Sequence, residues 1–332
     1  ISFGWFGILD EWVRTFSPLD MVSTLIFFGA LFLISDLTGI PFTIYQTFVI
    51  ESKFGFNKTT VKTFIFDKIK GYILALLIGG TLLSALVYMV NAIGSHFWIY
   101  FWGILAAFTL LANVFYSSLI LPLFNKLKPL EEGALKDSIH AYSQKIKFPL
   151  QNIFVIDGSK RSSKGNAFFS GIGKKKKVVL FDTLIEKHSI EELTAVFAHE
   201  VGHFKKKHIL YSTVFSIGLM GFMLYLFSLM AYSTEVSWAM GGQTSSLHLN
   251  MLAFGILYSP ISRIIGIIGN IVSRKNEFEA DAFAKDTYQA KPLIEGLKKL
   301  SADQLSNLTP HPAFVFVHYS HPPLWERVKA LS

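Results

Sequence analysis

The sequence predicts a mainly α-helical, polytopic membrane protein with a small antiparallel β-sheet at its cytoplasmic face, and three observations carry that reading. Hydrophobic residues make up 51% of the 332-residue chain and charged residues only 16%, against about 25% in an ordinary soluble domain. The apolar residues gather into runs long enough to cross a bilayer, which takes about 20 residues. Lys and Arg fall in alternate connections between those runs, the bias that orients membrane helices.

Five runs qualify as spans. The chain begins at Ile1 rather than Met, so a preceding segment is expected. Met21–Val49 is the first span, followed by a connection holding Lys53, Lys58, Lys62, Lys68 and Lys70. Gly71–Ala92 and Trp98–Phe124 come next, and the short Ile93–Phe97 link between them has no Lys or Arg. Sixteen Lys and Arg then lie between Lys126 and Lys207, before the spans Ile209–Tyr232 and Leu249–Val272. The connection Ser233–His248 between those two is again free of Lys and Arg. The alternation puts the basic loops and the C-terminus in the cytoplasm. The sequons at Asn57 and Asn307 fall on that side and are expected to stay unglycosylated. Asp36 and Arg263 lie inside spans, where a charge should face a partner or a water-filled cavity. The net charge of +8 suits loops resting on anionic lipid. No basic face with an aromatic platform appears, so a nucleic-acid partner is not expected.

The cytoplasmic stretches carry the soluble structure. Leu130–Lys147 reads as a helix with Leu135, Ile139 and Ile146 on one face. NIFVID (Asn152–Asp157), NAFFS (Asn166–Ser170) and KVVLFD (Lys177–Asp182) have strand composition, and the turn GIGKKKK joins the last two. Ser189 and Glu192 form a capping box that opens the run LTAVFAHEVGHF. Further helices are expected over Asn276–Thr287, Lys291–Ser301 and Pro322–Leu331. Four segments follow: membrane helices over 1–124, a cytoplasmic segment 125–208, two membrane helices over 209–272, and a cytoplasmic C-terminal segment 273–332.

HEVGH places His199 and His203 one helical turn apart on one face, with Glu200 beside them. With no cysteine in the chain, thiolate sites and disulfides are excluded. A metal must then be held by His, Asp or Glu, and two imidazoles on a rigid turn suit Zn²⁺. Such an ion acidifies water and polarises a carbonyl, while a neighbouring glutamate takes the water's proton. The third ligand should be an acid or His on another helix. NEFEADAFA offers Glu277 and Asp281 four apart on one face, with Glu279 pointing elsewhere; the second acid of the pair can orient an imidazole. His140, His188, His208, His311 and His318 read as structural, and the Lys174–Lys177 and Lys205–Lys207 runs as solvated faces. Asn166 opens a strand that can form a free sheet edge, where an extended peptide adds. His321 precedes two prolines that fix the chain at a helix start.

HEVGH, EFEADAFAK, DGSKRSSKGNAFFSG, ESKFGFNKTT and YSHPPLWERVKAL together resemble the integral-membrane CaaX prenyl protease family, the zinc metalloprotease type, from about residue 20 to the C-terminus. The resemblance implies a zincin-like HExxH domain holding one Zn²⁺ per chain on His199, His203 and Glu277. It also implies Glu200 as general base and Asp281 as the acidic partner behind the ligands. Asn166 is implied to hold the substrate backbone, and His321, with Arg327 behind it, to stabilise the tetrahedral intermediate. The implied reaction removes the aaX tripeptide from prenylated proteins. Members have seven spans around a water-filled chamber, whereas this chain shows five, with residues 1–16 resembling the tail of another helix. The implied location is the endoplasmic reticulum membrane in a eukaryote or the inner membrane in a bacterium. Two other readings remain open at this level: a membrane-protein quality-control protease of the heat-shock type, and a transporter or scaffold with a structural metal site.

Overall fold

The computed structural model describes residues 4–170 and 176–332. The chain forms two compact units from interleaved stretches, one from Ile1–Ile50, Val61–Thr109 and Val214–Arg263, the other from Glu51–Thr60, Leu110–Thr213 and Ile264–Ser332.

The first unit is helical. Four helical stretches of the chain are long and apolar enough to cross a membrane: Asp20–Glu51, Val61–Phe124, His208–Ser228 and Leu247–Thr287. They account for all five expected spans, because Val61–Phe124 holds two, although the helix from His208 ends at Ser228, four residues short of the expected Tyr232. Helix Thr81–Ile93 ends at Gly94, whose φ of 72° is a conformation glycine adopts without steric cost. Leu86 and Val90 before that point share one apolar cluster with Phe97 and Phe101 after it. A straight helix would hold Leu86 and Phe101 about 22 Å apart, so the chain reverses at Gly94–His96. Large apolar side chains on these helices, such as Leu37, Phe42, Leu76 and Leu257, stay exposed. A lipid surround accommodates that pattern and water does not.

Polar groups at these apolar helices have found partners. Asp36 accepts hydrogen bonds from Lys68 Nζ at 2.6 Å and from the Tyr72 hydroxyl, so the carboxylate is paired across to the next helix. Arg263, the other expected intramembrane charge, is exposed. Sequence reasoning passed over a further network. Asp10 and His248, both 2% exposed, meet at 2.6 Å, and Ser246 Oγ lies 3.0 Å from each. This network ties helix Trp5–Arg14 to the start of helix Leu247–Thr287.

The second unit is a four-stranded sheet with helices. β1 (Leu127–Pro129), β2 (Leu150–Ile156), β3 (Ala167–Ser170) and β4 (Lys176–Phe181) are ordered β1-β2-β4-β3. The expected antiparallel pairing holds for β1 with β2 and for β3 with β4, but β2 and β4 run parallel, so the sheet is mixed. The reason lies in β4 itself. Val178, Val179 and Leu180 are all essentially buried, and a strand apolar on both faces belongs in a sheet's centre. That displaces β3 to the edge. The joining turn, with Lys174 and Lys175, falls on residues 171–175, outside those described.

Helices Ala134–Lys145 and Ile190–Lys205 pack on the sheet, and helix Ala290–Asp303 packs on Ile190–Lys205. Their shared core includes Ile139, Ile153, Val178, Leu180, Phe197, Val201 and Leu293. The helix expected over Asn276–Thr287 is not separate: it continues the Leu247–Thr287 helix through Pro260, because no breaker lies between Val272 and Asn276. The strand β1 and the short helices Asp182–Lys187, Thr234–Ala239 and Pro312–His318 were not expected from the sequence.

One close approach fixes the two helices that matter most. A Cβ on Gly202 would stand 2.9 Å from Ala280 Cα and 3.0 Å from Ala280 O. Glycine inside a helix costs roughly 0.5–1 kcal/mol relative to alanine, so Gly202→Ala on an unconstrained helix would stabilise. Here the methyl group meets backbone that cannot swing away. We therefore expect Gly202→Ala to lower the melting temperature in detergent by the equivalent of about 1–3 kcal/mol. A raised melting temperature would show that the two helices do not depend on this contact.

Candidate metal centre

The capping box that opens helix Ile190–Lys205 is present in both directions. Ser189 N–H donates to Glu192 Oε2 at 3.0 Å and Glu192 N–H donates to Ser189 Oγ at 3.3 Å. Lys299 adds a contact to Glu192 Oε1 at 2.7 Å. The helix start is thereby pinned, and about three and four turns later it presents His199 and His203. Their Nε2 atoms stand 3.2 Å apart. From helix Leu247–Thr287, Glu277 brings Oε1 to 3.2 Å from His203 Nε2 and Oε2 to 3.5 Å from His199 Nε2. These three residues are the group, among the described residues, whose donor atoms lie close enough to share an ion, all within 4.8 Å.

The donors fit zinc. Ligands about 2.0–2.1 Å from a tetrahedral Zn²⁺ stand roughly 3.3 Å from one another, and the observed separations bracket that spacing. Glu277 Oε2 is buried without a hydrogen-bond partner, although the Arg327 guanidinium lies 3.2 Å away. An unsatisfied buried carboxylate oxygen beside two converging imidazoles is the arrangement a cation completes.

Asp281 sits one turn beyond Glu277 and takes the Nδ1–H of His199 at 2.8 Å. That bond fixes one proton on Nδ1, so Nε2 is the nitrogen that faces Glu277 and becomes a lone pair once the ring gives up its second proton. Arg327 then closes on Asp281 with two bonds, Nε to Oδ2 at 2.8 Å and Nη2 to Oδ1 at 2.6 Å. Its Nη2 also lies 3.4 Å from His199 Nδ1, but with that nitrogen already donating this is a contact and not a hydrogen bond. Burial opposes a charged His199, yet the neighbouring Asp281 and Glu277 outweigh it and push its pKa up to about 9. Burial likewise raises the Glu200 carboxyl above its ordinary range, against the pull of His199 and His203.

Around this centre lies a cavity of about 160 Å³. Its lining includes Glu200, His199, Glu277, Asn166, His321 and Arg327. His321 is exposed and reaches Glu277 Oε1 at 3.4 Å, with Ser320 Oγ 3.0 Å from its other ring nitrogen. Asn166 immediately precedes β3, the edge strand; its carbonyl accepts Phe181 N–H and its Oδ1 accepts Ala167 N–H, so its amide N–H₂ is what faces outward. All eight residues singled out in the sequence therefore lie in the second unit at or beside one centre. Arg327 is buried against Asp281 and also reaches Glu277 Oε2 at 3.2 Å, the carboxylate that His321 approaches from the exposed side.

Sequence reasoning missed two neighbours. His208, read as structural, has its Nδ1 3.0 Å from His203 Nδ1, and Glu279, read as pointing away, lies 3.1 Å from His208 Nε2. The signal that could have found them was a third histidine five residues after HEVGH, across a helix break. His188, also set aside, lines the cavity and bonds to the carbonyls of Leu184 and Gly296 at 3.1 and 3.4 Å.

Comparison with known proteins places this geometry. Residues 1–126 match the family model described as CAAX prenyl protease N-terminal, five membrane helices, and residues 129–332 match that of peptidase family M48. The CAAX prenyl protease 1 homolog of Oryza sativa is 40% identical over 94% of this chain and 74% of its own length. CAAX prenyl protease 1 of Saccharomyces cerevisiae is 38% identical over 96% of this chain and 74% of its own length. The crystal structure of S. mikatae Ste24p superposes with a TM-score of 0.94 at 35% identity, covering 100% of this chain and 82% of that one.

Two outcomes follow from the buried charges. In the metal-free chain His199 holds its proton up to about pH 9, so zinc must displace it. Affinity should rise with pH up to about tenfold per unit and level off near that value. Calorimetry in buffers of different ionisation enthalpy should show a proton released at pH 7, and a pH-independent affinity would contradict the protonated imidazole. Arg327→Ala should cost about 3–5 kcal/mol, because it leaves two buried carboxylates, Asp281 and Glu277, with only the His199 imidazolium to balance them. Thermal melting of the metal-free chain in detergent measures this, and a loss below about 1 kcal/mol would mean the pair is not structural.

Proposed function

Because the chain belongs to the integral-membrane CAAX prenyl protease branch of the M48 metallopeptidases, we propose that it cleaves peptide bonds near the C-terminus of prenylated proteins, removing the aaX tripeptide. His199, His203 and Glu277 hold one Zn²⁺ in this reading. Zinc bound there supplies Lewis acidity, polarising the scissile carbonyl and acidifying water. The observation that carries the proposal is the convergence of three donor atoms on one point, with Glu200 on the same cavity wall.

Each remaining residue has a task its surroundings support. Glu200 takes a proton from the attacking water and delivers it to the leaving amine; burial, which raises its pKa, suits a group that must both accept and give. Asp281 holds the His199 ring by its Nδ1–H, and Arg327 keeps Asp281 in place with two parallel bonds. His321 is exposed at the cavity, where its ring can donate to the oxygen that becomes negative as water adds. Asn166 stands at the head of the free edge strand, where an extended substrate pairs with backbone and meets the Asn166 amide. The alternating basic loops support a catalytic face and C-terminus in the cytoplasm, which is where prenylated C-termini reside. A structural metal site would be closed by four protein ligands, and the described residues offer three.

The test is cleavage by the purified protein in detergent of a farnesylated CaaX peptide and its unprenylated twin, with Glu200→Gln alongside. Cleavage of the lipidated peptide alone is expected, with Glu200→Gln lowering the rate at least about 10²–10⁴-fold while zinc content stays at one per chain. Equal cleavage of both peptides would move the substrate towards membrane-protein quality control. A folded, zinc-loaded protein that cut neither would overturn the protease reading.

A further inference from the structure

We propose that His208, braced by Glu279, is a positioning residue for the metal: its ring accepts the Nδ1–H of His203 and so keeps the Nε2 of that ligand turned to the ion. The inference rests on the metal-site reading above and extends it to residues outside the HExxH and ExxxD motifs.

The argument is one of proton placement. His203 Nε2 faces His199 Nε2 and Glu277 Oε1, each at 3.2 Å, so it must be a lone pair to serve a metal. A neutral imidazole then carries its proton on Nδ1. The group 3.0 Å from that Nδ1 is His208 Nδ1, which must therefore accept. His208 in turn carries its proton on Nε2, and Glu279 Oε2 lies 3.1 Å from that atom. Only one direction of donation satisfies every pair: His203 to His208 to Glu279. The two ligand imidazoles are thus held differently, His199 directly by a carboxylate and His203 through a second imidazole that ends on one.

The backbone delivers His208 to this place. Helix Ile190–Lys205 closes with Lys206 N–H on Gly202 O and Lys207 N–H on Phe204 O. Lys207 then adopts φ 60°, a left-handed turn that costs a non-glycine residue of order 1 kcal/mol. The next helix begins at His208, with its ring 5.2 Å from that of His203 and at 72° to it. His208 is 7% exposed, whereas Glu279 is half-exposed with Lys275 3.9 Å away. A strained turn that returns a buried imidazole onto a ligand is more than packing requires, since a phenyl ring would fill the same space.

Zinc affinity of the full chain in detergent, measured by competition with a chelator, reads the relay without depending on activity. His208→Phe keeps the shape and removes the acceptor, and should weaken zinc about 10–100-fold, the range for lost partners behind a metal ligand. Glu279→Ala alters a half-exposed side chain that does not support the core, and should weaken it in the same direction. The double variant should be no weaker than His208→Phe alone, because the two residues act in one chain. His208→Gln, whose amide oxygen can accept from His203, should recover most of the affinity. The inference is overturned if His208→Phe binds within about threefold of the unmutated chain, or if Glu279→Ala adds its full effect on top of it. It is equally overturned if His208→Phe lowers the melting temperature of the metal-free chain and His208→Gln restores neither property. An unmutated chain that takes up no zinc would remove the metal site itself, and the inference with it.

Discussion

The backbone contact between Gly202 and Ala280 is the constraint on which the second unit turns. Three donor atoms must meet within a few tenths of an ångström, yet they come from two helices separated by some 70 residues of sequence. How close the two axes run therefore sets which donor atoms can share one point. A glycine in the motif, facing an alanine on the partner, lets the axes approach until Glu277 reaches both imidazoles. Ala198 and Ala284, both fully buried in the same packing, extend the small-residue seam. The motif HEVGH is therefore read twice: its histidines are the candidate ligands, and its glycine is what lets Glu277 come up to them.

Much of this was legible beforehand, for physical reasons that differ by element. The spans were visible because a bilayer imposes length and hydropathy together, and the capping box because its two side chains serve each other locally. The candidate ligand group was visible because one helical turn sets the spacing of His199 and His203, and again that of Glu277 and Asp281. What escaped depended on contacts between segments far apart in sequence or across a break. The parallel pairing of β2 with β4 is decided by which strand is buried on both faces, a property of the whole sheet, although the unbroken VVLF run hinted at it. Glu279 seemed to point away because position i+2 on a helix faces another direction than position i, and nothing local says that His208 waits there. The pairing of Arg327 with Asp281 was not foreseen for a similar reason. Eight-residue helix Leu324–Leu331 packs where no local signal could put it, and its guanidinium went to Asp281.

The charges of the centre form a balanced set once they are considered together. In the metal-free chain Glu277 and Asp281 each bring a negative charge, matched by Arg327 and by the proton that His199 holds up to about pH 9. Burial leaves little water to screen them, so an unmatched charge would cost several kcal/mol. Under these conditions burial raises the Glu200 pKa, against the pull of His199, His203 and Arg327. Exchanging the His199 proton for a dication leaves one positive charge over. That surplus favours Glu200 as the carboxylate, the form in which it can accept a proton. In the proposed reading, metal uptake and the readiness of the base are therefore coupled: the positive charge that a bound ion would add pulls the Glu200 pKa down, opposing the burial that raises it.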